Sequence, residues 1–312
     1  MEYEGQICRA PMERSSFMLP VTVGCPYNKC KFCGLFRHLK YRKLSMEQIE
    51  AELLRVKNMG GSPKNIFLGD GNAFGLDTAH LTAILKKIRE YFPLCEGVNM
   101  DATVSSILNK SRDDLILLGS HGVKNLYIGI ESGLDDVLEF MKKGNDLSQA
   151  REAIRRIKEA GMDYSAHIMT GVSGKGRGME NAAALAEFLN ETGPKNVVNF
   201  SMFIHEEVPL YAHIKDGTFK PADELENLKE ERKLIELLGT EEMPITYEGF
   251  HDYIEFRIRG RLPKDRDKML AKLDSAIDLQ SQKPKIYSYV TGICPELEKK
   301  EYGNPVWRRQ SK

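Results

Sequence analysis

Apolar residues in the first two thirds of the chain form two kinds of run, and the two kinds alternate. Short solid runs predict buried strands, and longer stretches with apolar residues at helical spacing predict helices packed on them. Phe17 to Gly24 predicts a first strand, Asn65 to Leu68 a second and Val98 to Thr103 a third. Leu126 to Ile130, Tyr164 to Met169 and Val197 to Ile204 predict three more. Ser45 to Met59 predicts a helix, with Ser45 as N-cap and Ile49, Leu53, Leu54 and Val56 as its apolar stripe. Leu76 to Tyr91, capped by Asp77 or Thr78, predicts the next. Asp113 to Ser120, Asp135 to Lys142, Leu147 to Ala160 and Glu180 to Asn190 continue the series, and Gly161 closes the helix that ends at Ala160.

Strands alternating with helices imply a parallel sheet with right-handed crossovers, hence an α/β fold. An open doubly wound sheet and a curved partial barrel both satisfy the alternation. In either, ligands gather at the C-terminal ends of the strands. After residue 205 the rhythm breaks at Pro209, Pro221, Pro244 and Pro263, with charged helices predicted near Ala222 to Leu238 and Lys264 to Leu279. The expected organisation is therefore an N-terminal extension (1–15), a core (16–205) and an α-rich C-terminal cap (206–312).

Composition narrows the class. The 312 residues are 41% hydrophobic, enough for a sizeable core, and 45 Lys and Arg balance 45 Asp and Glu. Zero net charge argues against nucleic acid as the main partner. No apolar run is long enough to span a membrane, and the N-terminus lacks the basic and apolar regions of a signal peptide, so the cytoplasm is the expected location.

Three of the six cysteines sit together, as Cys25-x4-Cys30-x2-Cys33, just after the first predicted strand. Thiolates suit zinc or iron–sulfur clusters. Structural zinc wants four protein ligands, and His38 is a candidate for the fourth. The alternative is a [4Fe–4S] cluster on three thiolates with one open iron, a position for a substrate or cofactor.

With these residues in view, the chain resembles the radical S-adenosylmethionine (SAM) superfamily over roughly residues 16 to 240. The branch containing coproporphyrinogen oxidase-like and methylthiotransferase-like core domains is the most similar. Phe32 stands where members have an aromatic residue beside the adenine, before the third cysteine. Gly69-Asp70-Gly71-Asn72 resembles the turn after the second strand whose backbone takes the SAM amino group. Ile128-Gly129-Ile130-Glu131-Ser132-Gly133 resembles the strand end whose glutamate contacts the SAM ribose. Met141-Lys142-Lys143-Gly144, His167-Ile168-Met169-Thr170-Gly171-Val172 and Val208-Pro209-Leu210-Tyr211 are similar to segments of that branch. The sequence departs from the family pattern in having four residues, where three are usual, between the first two cysteines. Lys143 and Arg151, with Lys142, stand near where many members place a carboxylate-holding arginine.

The resemblance implies a partial (β/α)6 barrel, an oxygen-sensitive [4Fe–4S] cluster on Cys25, Cys30 and Cys33, and SAM as second cofactor. It implies reductive cleavage of SAM to methionine and a 5′-deoxyadenosyl radical, which takes hydrogen from a small organic substrate. The expected electron donor is a flavodoxin or ferredoxin. A non-catalytic zinc or electron-transfer iron–sulfur barrel is the other class.

His205 and Glu206, after the sixth predicted strand, and His167, within the fifth, are the candidates for substrate contact. Gly171 to Gly178 lacks the ending of a phosphate loop. Arg257, Arg259, Arg261, Lys264 and Arg266 read as a solvated or salt-bridged surface, with an anionic partner as the other reading, and Cys8, Cys95 and Cys294 as inert.

Overall fold

A computed structural model describes residues 8–290. Seven parallel strands run in chain order across one sheet: β1 (Phe17–Pro20), β2 (Asn65–Gly69), β3 (Gly97–Ala102), β4 (Val123–Glu131), β5 (Asp163–Thr170), β6 (Asn196–Ser201) and β7 (Ile245–His251). An antiparallel edge strand, β8 (Phe256–Leu262), follows β7. The sequential order separates the two topologies left open by the alternation. A doubly wound sheet reverses its order at a switch point, whereas unreversed right-handed crossovers put the helices on one face and leave the other concave, as in a partial barrel. The sheet is open, ending at β1 and β8.

The crossover helices begin where the sequence places caps. Ser45 accepts from the Gln48 N–H and Gln48 reaches back, a capping box that starts α1 (Met46–Asn58). Asp77 accepts from the His80 N–H at the start of α2 (Thr78–Tyr91). The helices α3 (Val104–Leu108), α4 (Arg112–Ser120), α5 (Asp135–Phe140), α6 (Leu147–Glu159) and α7 (Gly178–Thr192) complete the outer layer up to β6. The main core lies between sheet and helices: Leu19, Ile66, Leu68, Leu126, Ile128, Ala166 and Val197 face Leu53, Leu81, Ile154 and Leu189 across it.

Alternate strand residues face the concave side. Phe67 and Tyr127 pack there with Met18 of β1 and Ala10 of the N-terminal segment. Glu13 is buried with them and accepts from the Tyr127 hydroxyl (2.7 Å), Asn99 Nδ2 (2.8 Å) and the Ser16 hydroxyl. The segment before β1 is thus built into the concave face.

The region after residue 205 is rich in helix, as expected, and also adds strands to the core sheet. It contains α8 (Pro209–Lys215), α9 (Glu224–Leu237) and α10 (Arg266–Ser281), but also β7 and β8, which extend the core sheet. Behind β7, His251 is fully buried between two carboxylates of α9: Nδ1 is 2.8 Å from Glu224 Oε2 and Nε2 is 3.0 Å from Glu231 Oε2. Glu224 also accepts from the Ser201 hydroxyl and Glu231 from Asn199 Nδ2, so the network ties α9 to β6 and β7. Among the described residues no helix is long and apolar enough to cross a membrane.

Burial alone would depress His251; the Glu231 and Glu224 carboxylates outweigh it and raise it from 6.5 to about 10. A pKa raised on folding stabilises fully below the unfolded value and is lost as pH rises through the folded one. The thermal midpoint should therefore fall between about pH 7 and about pH 10. His251→Gln, which leaves buried carboxylates without their charge partner, should lower stability at pH 7 by about 3–5 kcal/mol and flatten that pH dependence. Parallel melting curves for the two proteins would contradict the charged assignment.

Candidate active site

The cysteine loop hangs from the end of β1. Thr22–Val23 pairs with Arg42–Lys43 and closes the loop at its base. Inside it, Asn28 takes a left-handed conformation (φ 45°) and donates from Nδ2 to the Phe36 carbonyl (3.0 Å). Arg37 donates to the carbonyls of both Cys33 (2.8 Å) and Cys30 (2.6 Å).

Four neighbours fix the loop from outside. The Tyr27 hydroxyl donates to the Lys142 carbonyl (2.6 Å), and the Lys31 N–H to the Met141 carbonyl (2.9 Å). The Leu210 N–H donates to the Lys31 carbonyl (3.0 Å). Gly71, at φ 65°, lies so close that a Cβ there would sit 2.5 Å from the Gly24 carbonyl oxygen. The β2 turn, the segment after α5 and the N-terminus of α8 therefore converge on residues 24–33.

Cys25, Cys30 and Cys33 are half-buried free thiols. Burial pushes Cys30 up to about 11 and also raises Cys33; Lys143 draws both back. The charges of Cys33 and Cys25 add to the rise of Cys30, and that of Cys25 to the rise of Cys33, so the three thiols share one neighbourhood. Yet among the described residues no three His, Cys, Asp or Glu side chains converge on a single-ion position, and His38 is exposed. The Cys₃His zinc site considered from the sequence is not assembled. A [4Fe–4S] cluster takes its three thiolates at three different irons, and three soft thiols spread along one loop fit that demand.

Beside the thiols stands an ion pair. Lys143 Nζ is 2.9 Å from Glu131 Oε1, with side chains 11% and 12% exposed. Glu131 ends β4 at φ 64°, next to a register shift between β4 and β5. Gly129 makes the room: a Cβ there would lie 2.4 Å from Glu131 Oε1 and 2.8 Å from Lys143 Nζ. Burial alone would lower Lys143, but Glu131 and Cys30 hold it above the usual lysine range.

The other residues singled out in the sequence divide between the site and its supports. The Gly69–Gly71 turn borders the loop, and the Thr22 hydroxyl donates to the Asp70 carbonyl (2.6 Å). Asp70 is buried with Oδ1 unpartnered, and burial raises it to about 6. Asn72 is occupied with Thr103 and Ser106 of the α3 cap. Phe32 packs with Met141, Val172, Met202 and Leu210, touching Cys30 and Cys33. His205 lies against the loop: a Cβ on Gly34 would be 3.6 Å from its ring. Glu206 accepts from the Tyr211 hydroxyl (3.3 Å). His167 lies on the concave face between Tyr127 and Phe200, with Nε2 buried and unpartnered; burial lowers it to about 4. Arg151 is not brought to the loop by any contact; it pairs with Glu191 (2.8 Å) and covers Phe188 in the helical layer.

Asp101 carries no signal in the sequence, and Cys8, expected to be inert, lies at the site. The Cys8 backbone N–H donates to the Asp70 carboxylate, its thiol lies near Asp70 and Cys33, and burial lifts that thiol to about 12. Asp101 faces Asp70 and Glu13, and burial raises it well above the carboxylate range. Cys95 is buried away from the loop with its thiol donating to the Gly97 carbonyl (3.5 Å), and Cys294 lies outside the described residues.

The radical SAM superfamily pattern matches residues 19–189. The chain belongs to the radical SAM superfamily. An uncharacterized methyltransferase of Pyrococcus horikoshii is 29% identical over 142 residues, 45% of this chain and 29% of that protein. A tRNA uridine(34) acetyltransferase of Methanocaldococcus jannaschii is 27% identical over 109 residues, 35% of this chain and 20% of that protein. The chain thus spans less than a third of the length of these curated relatives. The coproporphyrinogen III oxidase of Escherichia coli, a radical SAM enzyme, superposes with TM-score 0.54 at 16% identity, covering 71% of this chain and 51% of that one. The cofactors of this radical SAM protein are a [4Fe–4S] cluster and SAM. The donor set fits the first, and the Gly69–Gly71 turn and the Glu131–Lys143 pair stand at strand ends beside it.

Gly71→Ala should lower iron incorporation while the far-ultraviolet circular dichroism stays that of the parent, because the new methyl group displaces the loop at Gly24. Full iron and sulfide content in this variant after anaerobic reconstitution would show that the contact does not hold the cysteines.

Proposed function

We propose that the chain holds a [4Fe–4S] cluster on Cys25, Cys30 and Cys33, binds SAM at its open iron, and abstracts hydrogen from an organic substrate lying on the concave face. The convergence of the β2 turn, the end of β4 and the segment after α5 on the cysteine loop carries this reading. When bound, the cluster supplies the single electron that cleaves the carbon–sulfur bond of SAM to methionine and a 5′-deoxyadenosyl radical.

The protein's own groups then have separable tasks. The backbone of Gly69–Gly71 meets the amino end of SAM, and Phe32 walls the adenine. Glu131 offers a carboxylate oxygen to the ribose hydroxyls, while Lys143 holds Glu131 in place and presents a cation toward the SAM carboxylate. His167 is neutral at physiological pH, and its unpartnered Nε2 is a position a polar substrate group can satisfy. His205 and Glu206 close the loop side of the site. A flavodoxin or ferredoxin is the proposed reductant. The expectation against nucleic acid rested on net charge, and a relative named for tRNA uridine(34) removes that ground for setting RNA aside.

Reduced, anaerobically reconstituted protein with SAM alone should release 5′-deoxyadenosine and methionine slowly, and Cys25→Ala, Cys30→Ala and Cys33→Ala should each abolish this, whereas Cys95→Ala should not. S-Adenosylhomocysteine as the main product would overturn the reading in favour of direct methyl transfer. Glu131→Ala should keep its iron and weaken SAM binding roughly ten- to a hundredfold, as expected for a charged hydrogen bond of about 1.5–3 kcal/mol. An unchanged SAM titration would remove Glu131 from the site.

A further inference from the structure

A cavity of about 470 Å³ runs along the edge strand β8, between it, β7, the first turns of α10 and Arg14. That volume lies within the roughly 300–1,000 Å³ usual for small-molecule sites. Over the whole chain cations and carboxylates balance at 45 each, but this cavity is lined by five cations and two carboxylates. Both carboxylates are engaged: Glu248 pairs with Arg14 (3.6 Å), and Asp265 accepts from the Arg261 backbone N–H (2.8 Å). Arg259 and Lys268 are exposed and have no ion-pair partner among the described residues. The basic stretch that read as uniform surface is therefore divided. Arg266 caps α9 through the Leu238 and Gly239 carbonyls, while Arg257 and Arg259 line the cavity.

The register places this cavity at the level of the site. Gly129 is level with His167 and Glu131 with Ile168; Met169 is level with Phe200, Phe200 with Phe250, and Phe250 with Arg257. All lie toward the C-terminal ends of the parallel strands. The concave-face side chains form a continuous floor over the same path. His167 meets Phe200 edge-on (6.1 Å), Phe200 stacks on Phe250 (5.3 Å), and the Arg257 guanidinium covers Phe250 (5.3 Å). Three strand spacings separate His167 from Arg257, about 14 Å along the sheet.

We propose that the β8 cavity anchors a phosphate group of the substrate, at the far end of an aromatic floor that leads to His167 and the Glu131–Lys143 pair. The proposal rests on the reading of the chain as a radical SAM enzyme and adds the substrate's chemical class. Arginine forks and lysine ammonium groups gathered in a recess suit a doubly charged oxyanion better than a lone carboxylate. An apolar floor between anchor and reacting end suits a ligand with a flat, weakly polar middle, as in a nucleotide unit. The same chemistry is offered by a free nucleotide and by an RNA strand.

The test uses anaerobically reconstituted holoenzyme and two probes, uridine 5′-monophosphate by calorimetry and fluorescein-labelled hexauridylate by anisotropy. Binding of the monophosphate identifies a small phosphorylated ligand; binding of the hexanucleotide alone identifies a strand. In either case R259E/K268E should weaken binding at least tenfold, and with the hexanucleotide the salt slope should fall by about 1.4, for two lost phosphate contacts. The control R155E/K195E, with the same charge change outside the cavity, should bind as the parent does. 5′-Deoxyadenosine release from SAM alone should be equal in all three proteins. Binding by neither probe at millimolar concentration, or equal losses in both double variants, would overturn the anchor. Failure of the parent protein to release 5′-deoxyadenosine would instead overturn the reading beneath it.

Discussion

The close approach of Gly71 to the Gly24 carbonyl is the constraint on which the site depends. The left-handed turn after β2 can touch the base of the cysteine loop only because it has no Cβ. Once that contact is made, the loop lies across the C-terminal ends of the strands. Tyr27, Lys31 and the Lys31 carbonyl then find Lys142, Met141 and Leu210. These contacts involve main-chain carbonyls or N–H groups, so the position of the thiols is set by the sheet and not by side-chain adaptability. A parallel sheet with sequential order delivers all its strand ends to one rim, which is why segments far apart in the chain meet there.

Electrostatics inside the rim are arranged around burial. Glu131 holds Lys143 in its charged form, and that pair fits only beside Gly129. Asp70 and Asp101 have no such cation; burial raises both, and Asp70 and Glu13 add to the negative charge around Asp101. His167 is drawn the opposite way, toward neutrality. The result is one ion pair beside the thiols, with Asp70, Asp101 and His167 on the concave face each shifted toward its uncharged form. Such a surface suits directed hydrogen bonds in a weakly solvated space.

Much of this was legible in the sequence. The six expected strands all form, Ser45 and Asp77 cap the helices they precede, and the cysteine spacing, Glu131 and Lys143 all lie in one site. The exceptions have physical reasons. β8 reads Phe-Arg-Ile-Arg-Gly-Arg-Leu, a strict alternation, but its basic half drew attention as surface charge and hid the period of two. β7 was hidden in the same way by the prolines around it. The Glu224–His251–Glu231 network and the Glu13 contacts with Asn99 and Tyr127 join residues remote in the chain, and no local pattern signals such pairs. Arg151 matched a position near the expected carboxylate anchor, yet it sits on the outer helix α6, where Glu191 takes it. Gly129 matters for the volume it leaves empty, which only the folded neighbours reveal.

The most direct test of the central claim is electron paramagnetic resonance of the reduced, anaerobically reconstituted protein with and without SAM. If Cys25, Cys30 and Cys33 hold a [4Fe–4S] cluster with SAM bound to it, as proposed, the reduced protein should give the signal of a [4Fe–4S] cluster whose g-values shift when SAM is added. A cluster signal unchanged by saturating SAM would mean that the fourth iron is already held by the protein, and would contradict the account.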